Sequence, residues 1–166
     1  MYNLRKSKAG FTLIELMVVV AIIGVLALLG LRMYSTQQDK AKESIVKANA
    51  GSVQVTIQTA LVDNSTLTKD QAVDGTTLPD LMTLRNPYSG KSGSDTDTGG
   101  VIGDVVIYLD VATDAAAATA AAENVTGDEG TVGIYANADT DPTAFYIVGF
   151  GKGGDLIPKY TLTARR

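Results

Sequence analysis

The chain contains no cysteine and no histidine, and only four of its 166 residues are proline. Without thiols there is neither a disulfide nor a thiolate nucleophile; without imidazole there is no histidine base, and the nitrogen and sulfur ligands that zinc prefers are missing. Classical triads and zinc hydrolases are thereby excluded. The first proline is Pro79, so no proline interrupts a helix over the first 78 residues. Basic charge is scarce where a nucleic-acid partner would need it. Residues 1–10 carry Arg5, Lys6 and Lys8 with no acid, and the remainder holds 11 basic against 18 acidic side chains, a formal charge of −7. Such a body lacks a broad basic face for a phosphate backbone, and the terminal pair Arg165 and Arg166 reads as a solvated tail end.

The chain does possess a long apolar run. Over 11–31, FTLIELMVVVAIIGVLALLGL, the only polar side chains are Thr12 and Glu15. At about 1.5 Å per residue, 21 residues suffice to cross a hydrocarbon core about 30 Å thick. The basic residues before it stay on the cytoplasmic side, so the chain beyond Leu31 faces outward. A cleaved secretory signal would need a small-residue site after the run, where Leu31, Arg32 and Met33 stand instead. Glu15 is the anomaly: a carboxylate inside such a segment costs a few kcal/mol on insertion scales and marks function by default.

Beyond the run the pattern stays helical. Val46, Ala50, Val53, Ile57 and Leu61 form one apolar stripe, and Asp63, Asn64 and Ser65 stop it, which predicts a single helix from Phe11 to about Val62. A loop-rich connector occupies 64–100, with at most a short helical turn near 79–84. Four runs then read as strands: VIGDVVIYLDV, TVGIYANA, AFYIVGFG and LIPKYTLTA, joined by turns at 127–130, 138–142 and 151–154. The alanine-rich interval 112–124 is compatible with a short helix or a surface excursion. Pro158 places the last strand at an edge or after a bulge. The aromatic residues lie mostly in the strands and suit core packing.

At KAGFTLIEL the chain resembles the type IV pilin and pseudopilin family. The resemblance rests on residues 5–31: a basic leader, Gly10, Phe11, Thr12, Leu13, Ile14, Glu15, Leu16, Met17 and an unbroken apolar run. It implies cleavage between Gly10 and Phe11 by a prepilin peptidase, N-methylation of Phe11, and pairing of Glu15 with the terminal amine of a neighbouring subunit as a filament grows. It implies an α+β fold: a leader (1–10), the membrane-spanning and filament-core half of a helix (11–31), its amphipathic half (32–63), a connector (64–100), and an antiparallel sheet of about four strands (101–166). Implied partners are further copies of the chain, the peptidase, the inner-membrane assembly machinery of a pilus or secretion system, and the membrane that holds the precursor before surface display. Two departures stand out. Many members have a proline where this chain has Arg32, and many close the C-terminal region with a disulfide.

The expected role is a major structural pilin supporting adhesion, motility or uptake, and not an enzyme. A type II secretion pseudopilin is the alternative within the family, and a membrane-tethered enzyme or binding module the alternative outside it. No cofactor is expected. Some pseudopilins bind calcium, and the carboxylates available for it are Asp95 with Asp97, Asp128 with Glu129, and Asp139 with Asp141, none of which matches a defined calcium loop. Sequons occur at Asn64 and Asn124. GFGKGG lacks the GK[ST] ending of a phosphate loop and reads as a hairpin turn.

Overall fold

The computed structural model describes residues 10–63, 67–68, 71–72, 78–92, 105–123, 129–138 and 141–166. The chain divides into two units, 1–38 and 39–166, described here one at a time. One helix, α1 (Leu13–Asp63), contributes to both, as the absence of proline and the helical periodicity predict. In the first unit every described residue of α1 up to Thr36 is solvent-exposed, and α1 is the one described helix long and apolar enough to cross a membrane.

The second unit is a head in which α1 packs on a four-stranded sheet. The strands are β1 (Val106–Val111), β2 (Val132–Ala136), β3 (Ala144–Phe150) and β4 (Leu156–Arg165), in the order β1-β2-β3-β4. The stripe read from the sequence is the face that is buried: Val46, Ala50, Val53, Ile57 and Leu61 are all at most 2% exposed. They meet Val132, Ile134 and Ala136 of β2 and Phe145 and Ile147 of β3 in one core. At Gly149 a methyl group would come within 3.0 Å of Val46, so the missing side chain is what lets α1 approach β3 this closely.

Alternate residues of β3 go to the other side. Tyr146, Val148 and Phe150 join Tyr135 of β2 and Ala112, Ala118 and Ala122 in a second core. Its lid is a short helix, α2 (Ala115–Glu123), so the alanine-rich interval is helical and covers the second face of the sheet. Asp114 starts it: its Oδ1 accepts from Ala117 N at 2.8 Å and its carbonyl accepts from Ala118 N at 3.0 Å. With both faces covered, the continuous apolar run of β3 has its physical reason.

The four strands and the α+β class agree with the expectation, with one correction to an all-antiparallel sheet. β2, β3 and β4 are antiparallel neighbours, but β1 pairs with β2 in parallel. A parallel neighbour needs a crossover, and α2 sits in the chain between β1 and β2 to provide it. β4 is an edge strand, as Pro158 requires, and Pro158 falls where the β3–β4 register slips between the Val148↔Thr161 and Phe150↔Leu156 pairs. The expected turn near 79–84 is a 3₁₀ turn over Pro79–Thr83.

Polar side chains fasten the strands that no disulfide holds. Gln54 Nε2 donates to Thr163 O at 2.8 Å, while Gln58 accepts from Arg165 N at 3.0 Å and donates to Arg165 O, so α1 holds the C-terminal end of β4 along its outer edge. Arg166 pairs with Asp141 at 3.1 Å. At the other end of β4, the turn after β3 is tied to α1 by Lys152 Nζ, 2.9 Å from Asp39 Oδ2; this hydrogen bond and charge hold the Lys152 ammonium above its usual pKa.

The loop over 85–92 is anchored through Asn86, which is 2% exposed. Its Nδ2 donates to Glu129 O at 2.6 Å and its Oδ1 accepts from Tyr88 N at 2.8 Å, while Asn49 on α1 donates to Arg85 O at 2.9 Å. Gly130 makes room for this clasp. Its φ is +80°, and a methyl group there would lie 2.3 Å from Asn86 Oδ1. The Tyr88 ring lies beneath Lys42, with Nζ 4.7 Å from its centroid, and the Tyr88 hydroxyl is buried with no hydrogen-bond partner among the described residues.

Unfolding measurements test both features of this loop. Gly130→Ala should lose about 2–4 kcal/mol in denaturant unfolding of the detergent-solubilised chain, since it combines a strained left-handed residue with displaced buried hydrogen bonds; a loss below about 0.5 kcal/mol would show the clasp to be dispensable. Burial first, then the charges of Glu43, Asp39 and Glu129, raise the Tyr88 phenol above its ordinary pKa. A raised folded-state pKa contributes stability below the unfolded value that is lost as pH rises through the folded one, so Tyr88→Phe should leave neutral-pH stability equal or higher and flatten the loss above about pH 10. An unchanged alkaline slope would assign that loss elsewhere.

Candidate functional site

The residues singled out by the sequence meet at the start of α1. Gly10 is exposed with open space where a side chain would be, and Phe11 is 92% exposed. Such a junction gives a protease unhindered access to the peptide bond, and a backbone without a side chain on one side lies closest to an active site. Glu15 lies one turn further along, and its carboxylate is engaged. Oε2 accepts from Thr12 N at 2.9 Å and from Thr12 Oγ1 at 2.8 Å, and Thr12 Oγ1 in turn accepts from Glu15 N at 3.3 Å.

This is a capping box. Thr12 is the residue before the first helical turn, Glu15 the third residue inside it, and each satisfies a backbone N–H of the other that the helix leaves unpaired. Such donors are costly in an apolar surrounding, and the negative charge also faces the positive end of the helix dipole. The sequence singled out Glu15 but not Thr12. The signal was present as T-x-x-E in TLIE, ahead of an apolar run.

Chemically the arrangement offers one carboxylate in two halves. Both contacts to Thr12 use Oε2, which leaves Oε1 outside the cap and directed at nothing among the described residues. An ammonium group approaching the helix end can therefore pair with the carboxylate while the cap stays closed. The surrounding side chains, Ile14, Val18 and Val19, are exposed and apolar, so a cation there would gain little from anything but Glu15.

Of the carboxylates considered for calcium, Glu129 Oε1 accepts from Gly153 N at 2.6 Å and Asp141 is paired with Arg166. Asp95, Asp97, Asp128 and Asp139, and the sequons at Asn64 and Asn124, lie outside the described residues. Among the described residues no three acidic groups converge as a metal site. Of the glycines of GFGKGG, Gly149 lies in β3, while Gly151, Gly153 and Gly154 form the turn between β3 and β4, with Gly153 and Gly154 at φ +75°.

Comparison with known proteins bears on the same stretch. Residues 5–31 match the model of the prokaryotic N-terminal methylation motif. The type IV major fimbrial protein FimA of Dichelobacter nodosus is 34% identical over 105 residues, covering 63% of this chain and 64% of that protein. Fimbrial protein EcpB of Eikenella corrodens is 41% identical over 66 residues, covering 40% and 42%. Type II secretion system core protein G of Pseudomonas aeruginosa is 37% identical over 60 residues, covering 36% and 42%. The matched region thus spans under two thirds of the length of each of these relatives. No solved structure matches the chain. A methylation motif thus lies over the capped, exposed helix end, and the chain is similar to type IV fimbrial proteins and to a type II secretion system core protein.

Proposed function

We propose that this protein is the major structural subunit of a type IV pilus, made as an inner-membrane precursor, cut between Gly10 and Phe11, methylated on Phe11 and polymerised into a surface filament. The observation that carries the reading is the methylation motif set on an apolar helix whose described residues 11–31 are all exposed. Cleavage leaves this helix attached as an anchor in lipid. The same all-round hydrophobicity suits burial among further copies, so one segment serves the precursor and the filament.

Glu15 supplies the selection between these states. The new amine at Phe11 is a charge that neither lipid nor an apolar bundle accommodates alone. Pairing it with Glu15 of a neighbouring copy neutralises both, and leaving either one unpaired costs several kcal/mol, so subunits enter at the axial step where the pair forms. The cap allows this without disruption: Oε2 keeps Thr12 and the start of the helix in place while Oε1 receives the amine. The work is structural, with no catalytic role for the head.

Processing is tested by intact mass and N-terminal peptide sequencing of protein sheared from native cells. A chain beginning at methylated Phe11 in long fibres is expected; a chain beginning at Met1, or cut beyond Leu31, would overturn the reading. Processed protein needed for export of folded enzymes, without long fibres, would instead make it a pseudopilin, in line with its likeness to the secretion-system core protein. Glu15→Gln keeps an acceptor for Thr12 but removes the charge. Filament yield should fall about tenfold or more, as 1.4 kcal/mol already corresponds to tenfold, while cleavage at Gly10 continues. Wild-type yield from this variant would remove the ion pair from the account.

A further inference from the structure

Arg32 has no part in the processing or polymerisation proposed above. It lies just beyond the matched motif, is the first polar side chain after the apolar run, and is the only charged residue between Glu15 and Asp39. From Leu13 to Leu31 the helix rises about 27 Å, close to a hydrocarbon core of about 30 Å. Arg32 follows Glu15 by about 26 Å at the same rise, so a spanning segment puts these two charges at opposite headgroup layers.

An arginine at that level needs an anion, and the chain supplies none. Its side chain is exposed, with no hydrogen-bond or ion-pair partner among the described residues. One turn away along the helix stand Leu28 and Leu29 on one side and Ser35 and Thr36 on the other, so no carboxylate is within reach. The next acid, Asp39, is held by Lys152 at 2.9 Å. Desolvating an unpaired charge is costly, and a long basic side chain at the end of a spanning helix avoids the cost by extending into the interface. The anion found there is a phosphodiester, whose oxygens accept two parallel N–H bonds from the guanidinium fork. Tyr34, 63% exposed, adds an amphipathic ring suited to the same layer.

We propose that Arg32 binds the phosphate of an anionic phospholipid headgroup in the outward-facing leaflet and thereby fixes the depth of the precursor. The inference rests on the membrane-precursor reading above and adds to it a ligand and the residue that takes it. An anionic headgroup is favoured over a zwitterionic one because the ammonium of the latter competes for the same phosphate. The absence of native cysteine allows a reporter beside the site. In the full chain, a fluorophore on Ser35→Cys, one turn from Arg32, is read in phosphatidylcholine vesicles to which phosphatidylglycerol or phosphatidylcholine with a nitroxide near the top of the acyl chain is added. The phosphatidylglycerol form should quench at an about fivefold lower mole fraction than the phosphatidylcholine form. Arg32→Gln should bring the two curves together, and Arg32→Lys, which keeps the charge but not the fork, should leave them partly separated.

Coincident curves for the unsubstituted Arg32, or full separation in Arg32→Gln, would overturn the proposal. So would loss of the separation on adding inorganic phosphate at constant ionic strength, which would make the ligand a free anion. A separation that vanishes as the protein-to-lipid ratio rises would assign Arg32 to a carboxylate of a second copy and overturn it too. The membrane reading is checked apart from the lipid: Val20→Cys in the same vesicles should resist a water-soluble maleimide, and ready reaction there would overturn that reading itself.

Discussion

The rest of the structure is best understood from an apolar helical segment whose described side chains are all exposed. A helix exposed over 13–31 exposes a long apolar surface to be buried, and the two surroundings proposed for it, lipid and further copies of the chain, are equally apolar. Hydrophobicity alone therefore does not say when the segment should leave one for the other, nor in which axial step it should settle. Only a polar interaction discriminates, because it is absent in lipid and satisfied at one register. Under the proposed processing, Glu15 lies one turn from a terminus that cleavage would make cationic.

The capping box refines that account. A lone carboxylate at a helix start would be free to rotate, and the donors of the first turn would remain unpaired in an apolar medium. By bonding Thr12 through Oε2, Glu15 closes its own helix end and presents the other oxygen. The same two residues thus close the helix end locally, and the proposed pairing between subunits would use the oxygen that the cap does not. The head shows a comparable economy. Without cysteine, it holds its last strand by amide groups from α1, Gln54 and Gln58, whose side chains take the hydrogen bonds that an edge strand otherwise exposes.

Much of this was legible in the sequence because it is local. Val46, Ala50, Val53, Ile57 and Leu61 announce their buried face by helical spacing alone, and Pro158 announces an edge because it has no N–H to give. The parallel pairing of β1 with β2 was not legible, since strand direction depends on where a crossover lies and the alanine-rich α2 has too weak a pattern to show it. Nor was the Asn86 clasp, with Gly130 beneath it. The bond from Asn86 to Glu129 joins residues 43 apart in the chain and leaves no periodic trace.

The N-terminal motif, the length and apolarity of the run over 11–31 and the place of the one carboxylate in it were determined by the sequence itself, because each depends on neighbours within a turn or on the bulk property of a run. The tertiary structure alone decided that β1 runs parallel to β2, that both faces of β3 are covered, and that the C-terminus is held by glutamines. Those depend on contacts between residues distant in sequence, where the free energy of packing, rather than local propensity, selects the arrangement.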